Sequence, residues 1–251
     1  MTIPIFIIVK DRLEVLKDSV ASYLKNIDTP ISLVFHNSGT TYEPTLEYLK
    51  EMESQGHKVY WNEKHQKEFT RPNRPFKEII KEQETVNESI LDYRSKYHPD
   101  YYVLTDPDIA IDPGAGDILE FYKHLLNLEK ATGIGPQLRI DDIPDHYPLK
   151  EKMLKRMVYF WNIRSKAIQV PWKDSLVDAV VCNIDSTFQL RPGLILWEKL
   201  KGKYLRTYEP YTAAHLDWYI DPDNLTGDQI WYLKTCGSEH MHWSNKSLKH
   251  S

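Results

Sequence analysis

A chain of 251 residues is long enough for one large α/β domain or two small ones. Hydrophobic residues at 41% and charged residues at 27% belong to a folded, water-facing protein, and two cysteines, Cys182 and Cys236, are too few for a disulfide framework. The net charge of −4, with no long basic block, argues against nucleic acid as a partner.

The first apolar run, Ile3 to Val9, is too short to span a bilayer and lacks a basic leader and a small-residue cleavage site. It reads as a first strand, and the chain as cytoplasmic with no transmembrane segment. Asp11 to Lys25 then carries Leu13, Leu16, Val20, Tyr23 and Leu24 at helical spacing. Ile31 to Phe35 is a second strand, leaving through His36-Asn37-Ser38-Gly39. Pro44 opens a helix with Leu46, Leu49 and Met52 on one face, and Gly56 closes it. His57 to Trp61 is a third strand. Residues 62–75, with Lys64, Arg71 and Arg74, form a polar loop. Phe76, Ile79, Ile80, Ile90 and Leu91 mark a long amphipathic helix that leads to a strand at Tyr102–Leu104.

This strand–helix alternation predicts a largely parallel sheet with helices on its faces. Ligands in such sheets bind beyond the carboxyl ends of the strands, where Lys10–Arg12, His36–Ser38 and Asp106–Asp108 all fall. No G-x-G-x-x-G follows the first strand and no P-loop occurs, which disfavours ordinary dinucleotide enzymes and P-loop NTPases.

Further on, Ile118, Leu119, Tyr122, Leu125 and Leu126 suggest another helix, and Gly133-Ile-Gly135-Pro136 a further strand. Asp141 to Pro148 reads as an acidic loop and Val177 to Cys182 as a strand leading to Asp185. Thr226-Gly-Asp-Gln229 is a capping box for a helix through Ile230, Leu233 and Cys236, with Gly237 as its stop. The chain closes on His240-Met-His242-Trp243-Ser244 and a polar tail.

Asp106-Pro-Asp108 at the end of the fourth strand is the most informative stretch. If the backbone stays extended through Pro107, the two carboxylates share a face and can hold a hard divalent cation through oxygen ligands. The plainer alternative is a turn made for its Asp and Pro residues. His240 and His242 face one way in an extended segment. With Cys236 they make an incomplete zinc set, and beside Asp108 they are candidate partners in a shared ion site. A calcium loop does not fit, because the oxygen ligand and glycine that an EF-hand requires after its first acids are missing.

With these motifs placed, the chain resembles the GT-A class of nucleotide-sugar glycosyltransferases. Ile3 to Arg12 with Leu16 and Ser19 looks like that class's first strand, turn and helix, and Asp106-Pro-Asp108 stands where the class carries its DxD motif. His215-Leu-Asp217-Trp218-Tyr219, Asp185 and the closing His-Trp-Ser resemble small transferases of bacteria and large DNA viruses that build surface glycans.

The resemblance implies a GT-A-like, Rossmann-type three-layer sandwich over residues 1–251, with a mostly parallel central sheet. Residues 1–112 would form the nucleotide-sugar-binding half, 113–244 the acceptor-binding half and 245–251 a tail. It implies Mn²⁺ or Mg²⁺ held by Asp108 with His242, and by Asp106 and His240 as further candidates. A nucleoside-diphosphate sugar would be the donor, contacted by Lys10, Arg12, Asn37 and Asp106, and a glycan or other hydroxyl compound the acceptor. Asp217 is the expected catalytic base, with Asp185 beside it on the sugar. Where many relatives end the second strand in an Asp that reads the nucleobase, this chain has His36-Asn37. A sugar nucleotidyltransferase would need a glycine-rich basic loop that Val9-Lys-Asp-Arg-Leu13 lacks. A non-catalytic nucleotide- or carbohydrate-binding module is the remaining rival.

Overall fold

A computed structural model describes residues 2–62, 76–198 and 202–235. The predicted loop with Lys64, Arg71 and Arg74, and the segment with Cys236, Gly237, His240, His242 and Trp243, lie outside the described residues. The first half runs β1 (Ile3–Val9), α1 (Leu13–Asn26), β2 (Ile31–Asn37), α2 (Glu43–Ser54), β3 (Lys58–Trp61), α3 (Phe76–Tyr97), β4 (Tyr101–Thr105) and β5 (Ile109–Ile111). There follow α4 (Ile118–Glu129), β6 (Gly133–Leu138), α5 (Lys150–Asn162), β7 (Ile168–Trp172), β8 (Ser175–Val181), β9 (Gln189–Pro192), β10 (Tyr204–His215) and α6 (Gly227–Thr235).

Among the described residues, the ten strands form one sheet in the order β3-β2-β1-β4-β9-β6-β10-β8-β7, with β5 added to the end of β10. The pairs β3-β2, β2-β1 and β1-β4 are parallel, as the helical crossovers between them require. β9 then runs antiparallel between β4 and β6, and β6-β10 returns to parallel pairing.

The three layers follow from the two-residue period of the strands. Ile3, Ile5, Ile7 and Val9 of β1, with Leu33 and Phe35 of β2 and Val103 of β4, face the layer built from Leu16, Val20 and Tyr23 of α1 and Leu49 of α2. The intervening Phe6, Val34, Tyr102 and Leu104 face Val86 and Ile90 of α3 on the opposite side. Burying one such aliphatic or aromatic side chain stabilises the fold by about 1.5–3 kcal/mol, so a one-residue slip of β1 is strongly disfavoured. Among the described residues, no helix is long and apolar enough to cross a membrane.

Two side-chain clamps set the carboxyl-terminal rim of this sheet. Asp11, at φ 56° in the β1–α1 turn, is buried, and its carboxylate accepts the Tyr42 N–H at 2.7 Å and the Thr41 N–H. That ties the first turn to the start of α2. Burial is the main influence on the Asp11 carboxyl and raises its pKa above 3.8, while the Thr41 and Tyr42 amides work to hold it charged.

At the other end of the chain, α6 begins with the predicted capping box: Gln229 Oε1 accepts the Thr226 N–H at 2.9 Å. The buried Asp228 of this helix accepts the Glu14 N–H at 3.1 Å, supplying α1 with the N-terminal cap that its own Arg12 does not provide. Asp228→Ala is therefore expected to cost about 1 kcal/mol, the usual worth of an N-cap. The check is a lowered urea midpoint with an unchanged slope.

Candidate active site

The short strand β5 assembles the site. Its three residues pair antiparallel with Ala213, Ala214 and His215 at the end of β10. The Leu216 N–H then donates to the Asp108 carbonyl at 2.7 Å. Asp108 lies just before β5, while His215 and Asp217 lie at and just beyond the end of β10, so this pairing brings together residues about a hundred positions apart. The backbone turns at Pro107-Asp108 instead of running extended. Asp106 and Asp108 consequently have different partners. Asp106 Oδ2 accepts the Ser186 hydroxyl at 2.6 Å, and its N–H donates to the Ser186 carbonyl at 2.7 Å.

Arg12, at the N-cap position of α1, reaches into the same spot because β1 and β4 are parallel neighbours with Ile7 opposite Thr105. Its Nη1 lies 3.0 Å from Asp108 Oδ2 and its Nη2 bonds Asp217 Oδ1. His215 Nδ1 stands 3.4 Å from the same Asp108 oxygen, and its ring stacks on Trp218 with centroids 4.7 Å apart and planes 3° apart. One donor atom from each of Asp108, His215 and Asp217 falls within 4.8 Å of the others. Two carboxylates and an imidazole are a donor set suited to Mn²⁺ or a similar divalent ion. Asp108 Oδ1, buried without a hydrogen-bond partner among the described residues, is the atom such an ion would satisfy. The residues present thus fit a metal.

Burial works against the Asp108 carboxylate. The positive charge facing it, from His215 when protonated and from Arg12 at every pH, wins and holds its pKa below 3.8. For His215 burial is the largest influence and disfavours the cation; Asp108 opposes this, Arg12 adds to it, and the pKa falls below 6.5. The imidazole is therefore neutral at neutral pH, the form that binds metal.

Because its folded pKa lies below its unfolded one, the stability this histidine contributes is complete above about pH 6.5. That contribution is lost as pH falls towards the folded value, since the unfolded chain takes the proton first. His215→Gln should remove it, so urea midpoints of wild type should fall relative to the variant between pH 7 and pH 5. Parallel profiles would show that the imidazole keeps its ordinary proton affinity.

The other nominated residues lie at the ends of β1 and β2 and in the loop between β8 and β9. Asn37 ends β2, with its Oδ1 accepting the Thr40 N–H at 2.8 Å and its carbonyl accepting from Asn62 Nδ2 at 3.2 Å. Lys10 is buried just past β1. Asp185 is exposed, accepts the Thr187 hydroxyl at 2.8 Å and lies near enough for its charge to act on His215. Its loop can lie across β6 because residue 135 is glycine: a Cβ there would come within 3.0 Å of the Thr187 carbonyl.

His215 is the residue that sequence reasoning did not nominate as a ligand. Its signal in the sequence is the alternation His215-Leu216-Asp217 at the end of a strand. His240 and His242 lie outside the described residues.

No family model matches the sequence, and no curated protein matches it. Solved structures do. Staphylococcus aureus TarS, as its fragment 1–349, matches with a TM-score of 0.51 at 9% identity over 86% of this chain. The chain spans 61% of the length of that fragment. Glucosyl-3-phosphoglycerate synthase from Mycobacterium tuberculosis, in complex with phosphoglyceric acid, matches at a TM-score of 0.40 and 14% identity, over 76% of this chain and 57% of the other. The mannosyltransferase PcManGT from Pyrobaculum calidifontis, in complex with GDP-Man and Mn²⁺, matches at 0.36 and 13%, over 56% and 36%. At these identities the likeness concerns the fold alone, a GT-A-like α/β sandwich with a mostly parallel central sheet.

Proposed function

We propose that this protein is a metal-dependent glycosyltransferase that moves a sugar from a nucleoside diphosphate to a hydroxyl acceptor, in glycan synthesis in the cytoplasm (host cytoplasm if viral). The observation that carries the reading is the meeting of Asp108, His215 and Asp217 at the carboxyl-terminal rim of a GT-A-like sheet. The ion would be held by these three residues, with Asp106 and either His240 or His242 as further donors nominated by the sequence. When bound, it supplies the positive charge that stabilises the departing diphosphate.

The chain's own residues divide the remaining work along the two halves proposed from the sequence, up to about residue 112 and beyond it. Arg12 and Lys10 bind the diphosphate from the rim of β1. Asn37 keeps its amide N–H₂ for the nucleobase, because its Oδ1 already accepts the Thr40 N–H. Asp217, bonded to Arg12 and within the donor cluster, takes a ligand's place in preference to a base's. In an inverting transfer the base is then Asp185. As the acceptor oxygen bonds to the anomeric carbon and the bond to the diphosphate breaks, the hydroxyl proton passes to this carboxylate. Asp185→Asn should then lower kcat by about 10²–10⁴ with the donor KM little changed. A retaining product with full activity in the variant would remove the base role.

The test of the reaction is incubation with Mn²⁺ and a panel of UDP-, GDP- and dTDP-sugars. Slow release of nucleoside diphosphate supports the transferase. Pyrophosphate-dependent exchange identifies a nucleotidyltransferase instead, and saturable binding without turnover a binding module.

A further inference from the structure

We propose that Arg12 is the resident cation of the metal site: its guanidinium holds the place of the divalent ion, and the ion enters only as Arg12 swings off Asp108 and Asp217. This rests on the transferase reading in taking the cluster for an ion site, and adds that occupancy by arginine and by metal are mutually exclusive.

One guanidinium bridges the two carboxylates that, with His215, make up the candidate donor set. The Arg12 side chain is 12% exposed and the Asp108 side chain 4%, so water screens little between a +1 and a +2 charge there. Both cations cannot be held in that space. The guanidinium also satisfies the carboxylates incompletely, since Asp108 Oδ1 remains without a hydrogen-bond partner among the described residues.

On its far side, among the described residues, the guanidinium rests over the Tyr232 ring at 5.3 Å, beside a small cavity lined by apolar (Val15, Ile220, Leu233) and polar (Asp217, Asp228, Gln229) side chains. Displacement of this one side chain would open the seat. Released from the carboxylates, Arg12 offers a free planar fork to the diphosphate. Metal and nucleotide then bind cooperatively, each favouring the state in which Arg12 has left the carboxylates.

The experiment titrates Mn²⁺ alone, reading free Mn²⁺ by electron paramagnetic resonance, against wild type, Arg12→Met, Arg12→Lys and Arg12→Met combined with Asp108→Asn. Thermal melting with and without Mn²⁺ is read alongside. Arg12→Met is expected to bind Mn²⁺ at least ten-fold more tightly than wild type, with a larger Mn²⁺-induced rise in Tm. Arg12→Lys, which keeps the charge and loses the bridge, should fall between them, and the double variant should lose the gain.

If Arg12→Met folds only with Mn²⁺ present, that dependence supports the exchange, and Arg12→Lys carries the affinity comparison. Equal or weaker Mn²⁺ binding in both Arg12 variants overturns the exchange and leaves the transferase reading standing. No Mn²⁺ binding by any of the proteins overturns both the exchange and the metal-dependent reading.

Discussion

Asp108→Asn is expected to lower glycosyl transfer at least a hundredfold and to weaken Mn²⁺ binding in parallel, while the protein stays folded. The substitution keeps the shape of the side chain and removes its charge. The candidate ion site loses its most buried carboxylate, and losing one preorganised group that stabilises transition-state charge costs about 10²–10³ in kcat. The price in stability is smaller. Asp217 still bonds Arg12, and an asparagine carbonyl can still accept from it. Exchanging a charged hydrogen-bond partner for a neutral one therefore costs about 1–3 kcal/mol. Kinetics with added Mn²⁺, together with a urea melt, separate the two effects. Wild-type activity in a variant that melts early would reduce Asp108 to a structural ion-pair partner.

Trp218→Ala should have the largest effect on stability. The indole is fully buried in the main core cluster and lies parallel against the His215 ring. Emptying a site of that size costs about 3–5 kcal/mol. For a chain of this size each kcal/mol lowers Tm by about 2–4 °C, so a fall of roughly 6–20 °C is expected. His215 would also lose the surface that fixes its ring plane, so Mn²⁺ affinity should drop even at temperatures where the variant is folded. Trp218→Phe keeps an aromatic face and should restore most of the ion affinity but only part of the stability. Equal ion binding by the alanine and phenylalanine variants would show that the stacking contributes packing alone.

The first half of this architecture is legible because each element carries its own period. Alternation in β1 and three-and-four spacing in α1 are local signals, and parallel pairing follows from the crossovers. The second half is harder for physical reasons. α5 carries Met153, Met157 and Phe160 at helical spacing, but the lysines and arginine among them dilute that stripe. β10 contains Glu209-Pro210, which reads as a break, and the strand accommodates it by a register shift between Thr207 and Thr212. The insertion of β9 antiparallel between β4 and β6 is a tertiary event with no local signature.

The site divides in the same way. Asp106, Asp108 and Arg12 lie at strand ends that the pattern exposes. The meeting of Asp108 with His215 depends on a pairing between β5 and β10 that no short stretch encodes. Pro107 favoured a turn over an extended pair of carboxylates, and the two aspartates took separate partners as a result.

Calorimetric titration of UDP, GDP and dTDP into wild type and Asp108→Asn, each with and without Mn²⁺, reads whether Asp108 couples a metal ion to a nucleotide. One of these nucleotides should bind wild type strongly only when Mn²⁺ is present, and Asp108→Asn should lose the Mn²⁺-dependent part. Binding that is indifferent to Mn²⁺, or unchanged in the variant, would contradict that coupling.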